Sequence, residues 1–353
     1  MSFYAEHLPR IGSVSVIIES NDSKVLVKNV DPNQLTVQDG DDSKITINLP
    51  CEVQVDNTPQ LSYQGKDCVI RLKAKINSSN VYLDRASNFM VAFSHRSKWN
   101  KSDLSKGFEF ECSECGAVLL SKFEFNRVLD MPSEFWAEFM DYWHCHKPHI
   151  DSKAHTDYKT KYNSLKPKEG ELLVGDSFLL LDKNWFPERF PLQTAAPTCF
   201  KCLKPLGEVT ADHLLKIYKW NLILRSAEGH AENYCIEYSV VSSLMNIINS
   251  HAARIINLKD GTGAITVLWV FGIGIDVTLL DNTIIKGSLK ILYVSDPAEG
   301  SIDDIHGRQQ ADSLTVSETC YKAFLESLET TRNKLPIRHR SIEKWHVSYI
   351  SSS

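Results

Sequence analysis

Two Cys-x-x-Cys pairs, Cys112-Ser-Glu-Cys115 and Cys199-Phe-Lys-Cys202, carry the most definite chemistry in this sequence. Thiolates two residues apart can grip one ion from a tight turn, and two such pairs complete the tetrahedron that zinc prefers. Gly116 follows the first pair and can take the positive φ that such a knuckle needs. The second pair has no immediate glycine, although Pro205 and Gly207 follow closely. The 83 residues between the pairs exceed the spacing of a compact zinc finger, so the spacing predicts a staple between distant segments. A closed four-cysteine site leaves no open position for substrate, and the expected cofactor is one structural zinc. The competing reading is that one pair is simply buried, since free cysteine behaves as a small core hydrophobe. A redox role is the weaker alternative, because neither pair opens a helix after a strand.

A second cluster of soft ligands is His144-Cys145-His146-Lys147-Pro148-His149. Three readings compete for it. Cys145 or His146 could complete the structural metal site in place of a knuckle cysteine. Cys145 could be a nucleophile with a neighbouring histidine as base, provided the geometry converges in space. The segment, stiffened by Pro148, could also project outward and donate a ligand to a metal held by another protein.

The chain has nine cysteines in all, an odd number that argues against a complete disulfide framework. Cys51 and Cys68 fall in predicted strands and Cys320 in a predicted amphipathic helix, where packing roles are expected, and Cys235 lies in AENYCIEY with no thioester signature. Gly272-Ile-Gly274-Ile-Asp276 lacks the third glycine and following helix of a dinucleotide loop and reads as a turn between strands. Arg332, Lys334, Arg338, His339 and Arg340 form a basic stretch that reads as a solvated loop. The net charge of -5 gives no chain-wide positive field for phosphate, so direct RNA binding is not expected.

These groups must be positioned by a chain of 353 residues, 42% hydrophobic and 24% charged, which is ordinary core-forming material. The longest apolar run, Ala264 to Ile275, is too short to span a bilayer as a helix. The N-terminus lacks the pattern of a secretory or transit signal, and a cytoplasmic and nuclear location is expected. From Gly12 to His95 the runs SVSVII, KVLVKNV, QLTVQDG, KITINL, CEVQV, CVIRLKAKI and NFMVAFS alternate with turn signals, as in an antiparallel sandwich. Cys, His, Trp and Pro then mark an irregular module. In it Met131-Pro132-Ser133 opens a helical pattern whose Phe135, Trp136, Phe139, Met140 and Trp143 share a face, and GDSFLLL (175–181) reads as a strand. Beyond it come a strand pair or bent strand at 214–224 and a helix from Tyr238 to Leu258. A meander follows (264–271, 276–280, 289–295), then a helix at 317–333 and a strand at 345–350. The expected fold is α+β: a β-sandwich-like domain (1–107), a zinc-stapled module (108–207), and a mixed sheet with two helices (208–353).

The motifs ECSECG, WHCHKP, GDSFLLL and CFKC, together with Lys216-Ile-Tyr-Lys-Trp220, resemble the HECT-like family of proteins that bind ubiquitin-conjugating enzymes. Fungal members of that family are tied to pre-mRNA polyadenylation. The resemblance implies two activities. One is a factor that binds the metallo-β-lactamase-type zinc endonuclease of the cleavage and polyadenylation machinery and stabilises it or holds it inactive. In that case Trp143, His144, Cys145 and His146 make the contact, with Cys145 the proposed ligand. The alternative is a ubiquitin-protein ligase that accepts ubiquitin on a cysteine from a ubiquitin-conjugating enzyme, which would then be the partner. The β-rich start and central metal module depart from a true HECT ligase, and the first activity is the leading expectation.

Overall fold

The computed structural model describes residues 1–19, 24–39, 43–56, 58–75, 98–131, 166–193, 196–295, 297 and 311–352. It divides the chain into two compact units, one made of residues 1–94 and 253–352 and the other of residues 95–252. This differs from the three consecutive domains expected at 1–107, 108–207 and 208–353. The reason is pairing between distant segments. Strand Ser2–Leu8 sits between Ser13–Glu19 and Ile265–Thr278, with Ala5, Glu6 and His7 opposite Thr278, Val277 and Asp276.

In the first unit a ten-stranded sheet runs in the order Ser341–Ile342, Trp345–Ile350, Ile284–Ser295, Ile265–Thr278, Ser2–Leu8, Ser13–Glu19, Asp67–Lys73, Gln60–Gln64. Off this path, Ile255–Lys259 pairs with Ile265–Thr278 and with Ala311–Thr315. Of the N-terminal strands, Ser2–Leu8, Ser13–Glu19, Gln60–Gln64 and Asp67–Lys73 therefore belong to the same sheet as the C-terminal ones. Side chains alternate across a strand, so Phe3, Ala5, Val16 and Ile18 face one way and Tyr4 and Ile17 the other. Both sets are buried, and so are Glu6 and His7, so Ser2–Leu8 shows no alternation between a core face and a solvent face. The first set packs with Val25, Leu35, Val37 and Ile47 from the three-stranded sheet Val25–Asp31, Gln34–Asp39, Ser43–Asn48. The second lies with Val277, Leu292, Trp345 and Tyr349.

Helix Glu318–Asn333 begins where Ser317 caps it, accepting the Cys320 N–H at 3.3 Å. Its buried Tyr321, Phe324 and Leu328 recur at helical spacing. Tyr321 is hydrogen-bonded to Thr266 (2.8 Å), and the Ser348 hydroxyl donates to the Leu328 carbonyl (2.6 Å). Two sequence expectations change here. The segment 272–274 is no turn, because Ile265–Thr278 is one strand whose register against Ile284–Ser295 shifts around Gly272 and Gly274. The helix expected to reach Leu258 stops at His251, where Ala252 turns left-handed, and Ile255–Lys259 is a strand.

The second unit holds a five-stranded sheet (Arg127–Asp130, Glu171–Val174, Phe178–Asp182, Leu214–Tyr218, Gly207–Val209) and a four-stranded one (Ala231–Asn233, Leu222–Ser226, Phe108–Cys112, Val118–Ser121). The strand pair or bent strand expected at 214–224 is two strands, which lie in different sheets and are joined by a tight turn at Lys219–Asn221. Gly207 is obligatory, because a Cβ there would run into the Lys216 carbonyl oxygen on the paired strand. Phe108, Phe110, Leu119, Leu179, Leu181, Ile217 and Leu222 share one core, and Cys112 and Cys199 are part of it.

A candidate metal centre of four cysteines

Cys112 ends strand Phe108–Cys112, and the chain then folds back on itself. The Cys112 N–H donates to the Ala117 carbonyl (2.8 Å) and the Gly116 N–H to the Cys112 carbonyl (2.9 Å), with Gly116 at φ +67°. The second knuckle repeats this pattern. The Cys199 N–H donates to the Lys204 carbonyl (2.9 Å) and the Leu203 N–H to the Cys199 carbonyl (2.9 Å). The position that glycine fills in the first knuckle is held here by Leu203 at φ +62°. The missing glycine is the sequence's one mark against the second pair, and the structure meets it by placing a leucine in a left-handed conformation that costs about 1–2 kcal/mol.

The knuckles face each other crosswise. Cys112 Sγ is 3.6 Å from Cys202 Sγ, Cys115 Sγ is 3.6 Å from Cys199 Sγ, and all four sulfurs lie within 4.8 Å of one another. These distances far exceed a disulfide bond of about 2.05 Å. They approach the edge of about 3.8 Å of a tetrahedron whose metal–sulfur bonds are about 2.3 Å. Four converging thiols can hold a metal ion.

The surroundings fit that use. Cys112 and Cys199 are buried, and Cys115 and Cys202 are partly so. Burial pushes the Cys112 thiol up to about 12 and raises Cys199, while backbone N–H groups work in the opposite direction. Those groups are the amides of Glu114 and Cys115 at Cys112, and of Lys201 and Cys202 at Cys199. At Cys115 the Ala117 N–H dominates and lowers the thiol. N–H groups aimed at sulfur are the outer support that a metal-bound thiolate requires. Lys204 adds positive charge, donating to Ser113 Oγ (2.9 Å) and lying 3.8 Å from Glu114.

The GDSFLLL motif and the segment 216–220 are joined in the same unit. Phe178 to Asp182 pair with Tyr218 to Leu214. The side chain of Lys219 is completely buried, and its ammonium donates to the carbonyls of Lys98 (2.7 Å) and Asp176 (3.0 Å). Burial brings its pKa down to about 7. Tyr234 donates to the same Asp176 carbonyl at 3.1 Å, and the Asn246 amide holds the Asp176 carboxylate at 2.9 Å.

Other sequence candidates have different outcomes. Trp143, His144, Cys145 and His146 lie outside the described residues, as does the helix expected from Met131-Pro132-Ser133. Cys68 and Cys320 are buried as expected, in strand Asp67–Lys73 and helix Glu318–Asn333, and Cys235 is exposed. Within the basic stretch, Arg332 pairs with Glu329, Lys334 with Asp281, and Arg338 with Asp67, while Arg340 binds the Leu335 and Asn333 carbonyls. Among the described residues no helix is long and apolar enough to cross a membrane. One constellation escapes the sequence entirely. Cys51 is not in a strand, and it shares a cavity in the first unit with His7 and Asp276. Their separation along the chain leaves no local signal.

The chain is 33% identical over 363 residues to an uncharacterized protein of Saccharomyces cerevisiae, covering 99% of each. It is 23% identical over 269 residues to an E3 ubiquitin-protein ligase of Mus musculus, covering 68% of this chain and 70% of that one. The Homo sapiens ligase of the same name is 28% identical over 140 residues, 34% of this chain and 33% of the relative. No solved structure matches the chain. The model of the family described as HECT-like ubiquitin-conjugating enzyme (E2)-binding matches residues 6–347, and the chain therefore belongs to that family.

Proposed function

We propose that this protein binds a ubiquitin-conjugating enzyme and acts in ubiquitin transfer, and that Cys112, Cys115, Cys199 and Cys202 hold one structural zinc ion. The observation that carries the functional reading is the family match, which runs through both compact units from residue 6 to 347. The relatives named as E3 ubiquitin-protein ligases support the same activity for this chain. This reverses the order of the two expectations drawn from the sequence. The endonuclease-binding reading places its contact on Trp143, His144, Cys145 and His146, and those residues lie outside the described ones.

Zinc suits the donor set because four thiolates in a closed tetrahedron favour a soft, redox-inert ion. Its role is architectural. It ties the end of strand Phe108–Cys112 to a loop some ninety residues later, and so fixes the start of the region 206–220 that carries Lys219. Because the four thiols converge only in the folded chain, the free energy of metal binding adds directly to the stability of the folded state.

The test is direct. The full chain, expressed with zinc, is immobilised and exposed to a panel of purified ubiquitin-conjugating enzymes, both free and charged with ubiquitin. Saturable binding of at least one is expected. Failure of the whole panel to bind zinc-loaded, folded protein overturns the reading.

A further inference from the structure

A cavity of about 500 Å³ in the first unit brings together residues from three distant parts of the chain, among them His7, Cys51, Lys75, Asp276 and Lys286. Its volume lies in the range of ligand sites. The histidine and aspartate form a rigid pair. His7 and Asp276 stand opposite each other in paired strands, and His7 Nδ1 is 3.0 Å from Asp276 Oδ2. The other carboxylate oxygen accepts the Gly287 N–H at 2.8 Å. Their side chains are only 6% and 18% exposed, so backbone register and burial hold the pair in place. Burial would raise Asp276, but the hydrogen bonds from His7 and Gly287 outweigh it and keep the carboxyl below its ordinary value.

This is the orienting half of a nucleophile–histidine–aspartate arrangement. An ionised carboxylate on Nδ1 fixes the tautomer in which Nε2 carries the lone pair. The third member of such a set is a nucleophile, and Cys51 lines the same cavity. Burial, with a further contribution from Asp276, pushes its thiol up to about 11. At neutral pH Cys51 is therefore protonated and needs a base. It is half-buried at the cavity wall, outside any disulfide. Lys286, which donates to the Pro50 carbonyl, supplies positive charge beside it, while Glu52, paired with Lys75 at 3.1 Å, adds negative charge.

We propose that Cys51 is the cysteine that receives ubiquitin as a thioester, with His7 as its base and Asp276 as the residue that positions His7. This rests on the ubiquitin-transfer reading given above. The Cys51 sulfur attacks the thioester carbonyl that joins ubiquitin to its conjugating enzyme. A new sulfur–carbon bond forms as the old one breaks. The thiol proton passes to His7 and from there to the departing thiolate of the conjugating enzyme. One thioester replaces another, so no oxidant, reductant or nucleotide is consumed.

The experiment mixes the full-length, zinc-loaded chain with conjugating enzymes charged with fluorescent ubiquitin and resolves the products with and without thiol reductant. Binding of the uncharged enzymes is measured in parallel. The wild type should form an adduct that reductant destroys, and Cys51→Ala should lose it while keeping wild-type zinc content and melting temperature. Cys51→Ser should give an adduct that resists reductant and maps to position 51. A wild type that binds a conjugating enzyme yet forms no adduct overturns this assignment and leaves the binding reading intact. So does an adduct that survives Cys51→Ala or maps elsewhere. If no enzyme binds, both readings fall.

Discussion

Cys112 Sγ and Cys202 Sγ lie 3.6 Å apart although 89 residues separate them in sequence, and Cys115 and Cys199 repeat the relationship at the same distance. Each knuckle thus pairs its first sulfur with the second sulfur of the other. No turn within either knuckle could enforce that arrangement, so it reports on how the end of strand Phe108–Cys112 and the distant loop are brought together. A metal ion at the centre would make the arrangement a condition of folding.

The first prediction is stoichiometric. Protein expressed with zinc should carry one ion per chain, measured by plasma mass spectrometry. Cys112→Ser or Cys199→Ser should lose it and lower the melting temperature, because each leaves a buried, half-built site. Cys145→Ala should retain the full complement. A wild type that folds with equal stability after exhaustive chelation contradicts the staple.

The affinity should fall in acid. Burial holds the Cys112 thiol near 12 and raises Cys199, so both are protonated near neutrality before metal binds and must release protons to it. Each displaced proton weakens binding about tenfold per pH unit below the thiol pKa, so these two thiols alone predict a loss of about a hundredfold from pH 7 to pH 6. Competition with a chromophoric chelator across that range measures it. An affinity independent of pH contradicts the assignment of these thiols as ligands.

Leu203 is a third point of test. It adopts φ +62° and is 50% exposed, so its side chain returns little burial for the backbone conformation it occupies. Leu203→Gly is expected to raise stability by roughly 0.5–1 kcal/mol, and Gly116→Ala to lower it by about the same amount or more. Chemical denaturation of the zinc-loaded proteins reads both. A destabilised Leu203→Gly would show that the exposed leucine makes a contact worth more than its strain.

Lys219 gives a stability profile with a defined sign. Its pKa is about 7 in the folded protein, well below that of an exposed lysine. Between those values the unfolded chain binds more protons, so this group's contribution to stability rises with pH from about 7 to 10 and is most unfavourable below 7. Lys219→Met removes that slope. Comparing melting temperatures of the two proteins across pH 6–9 should show the wild type gaining on the variant as pH rises. Parallel curves would mean that Lys219 stays charged at its carbonyls.

How much of this is readable from sequence depends on how local the signal is. The knuckles are legible because two residues of spacing state their geometry, and helix Glu318–Asn333 because Ser317 and the Tyr321, Phe324, Leu328 period are local too. Strand Trp345–Ile350 is legible at its observed limits. Strand Ser2–Leu8 is not, since both of its faces are buried and it shows no alternation. The segment 272–274 reads as a turn in sequence because glycine marks both turns and bulges, and only the partner strand decides between them. The two-unit division and the His7, Cys51, Asp276 cavity depend on pairings between the two ends of the chain, which no window of sequence displays.

The central claim, that the chain binds a ubiquitin-conjugating enzyme, is tested most directly by titration calorimetry of the zinc-loaded wild type against each purified enzyme of the panel. The account predicts a saturable one-to-one isotherm with at least one of them, weakened or lost once the metal is stripped from the Cys112, Cys115, Cys199, Cys202 site. Flat isotherms with every enzyme, from protein shown to be folded and to hold its zinc, would contradict it.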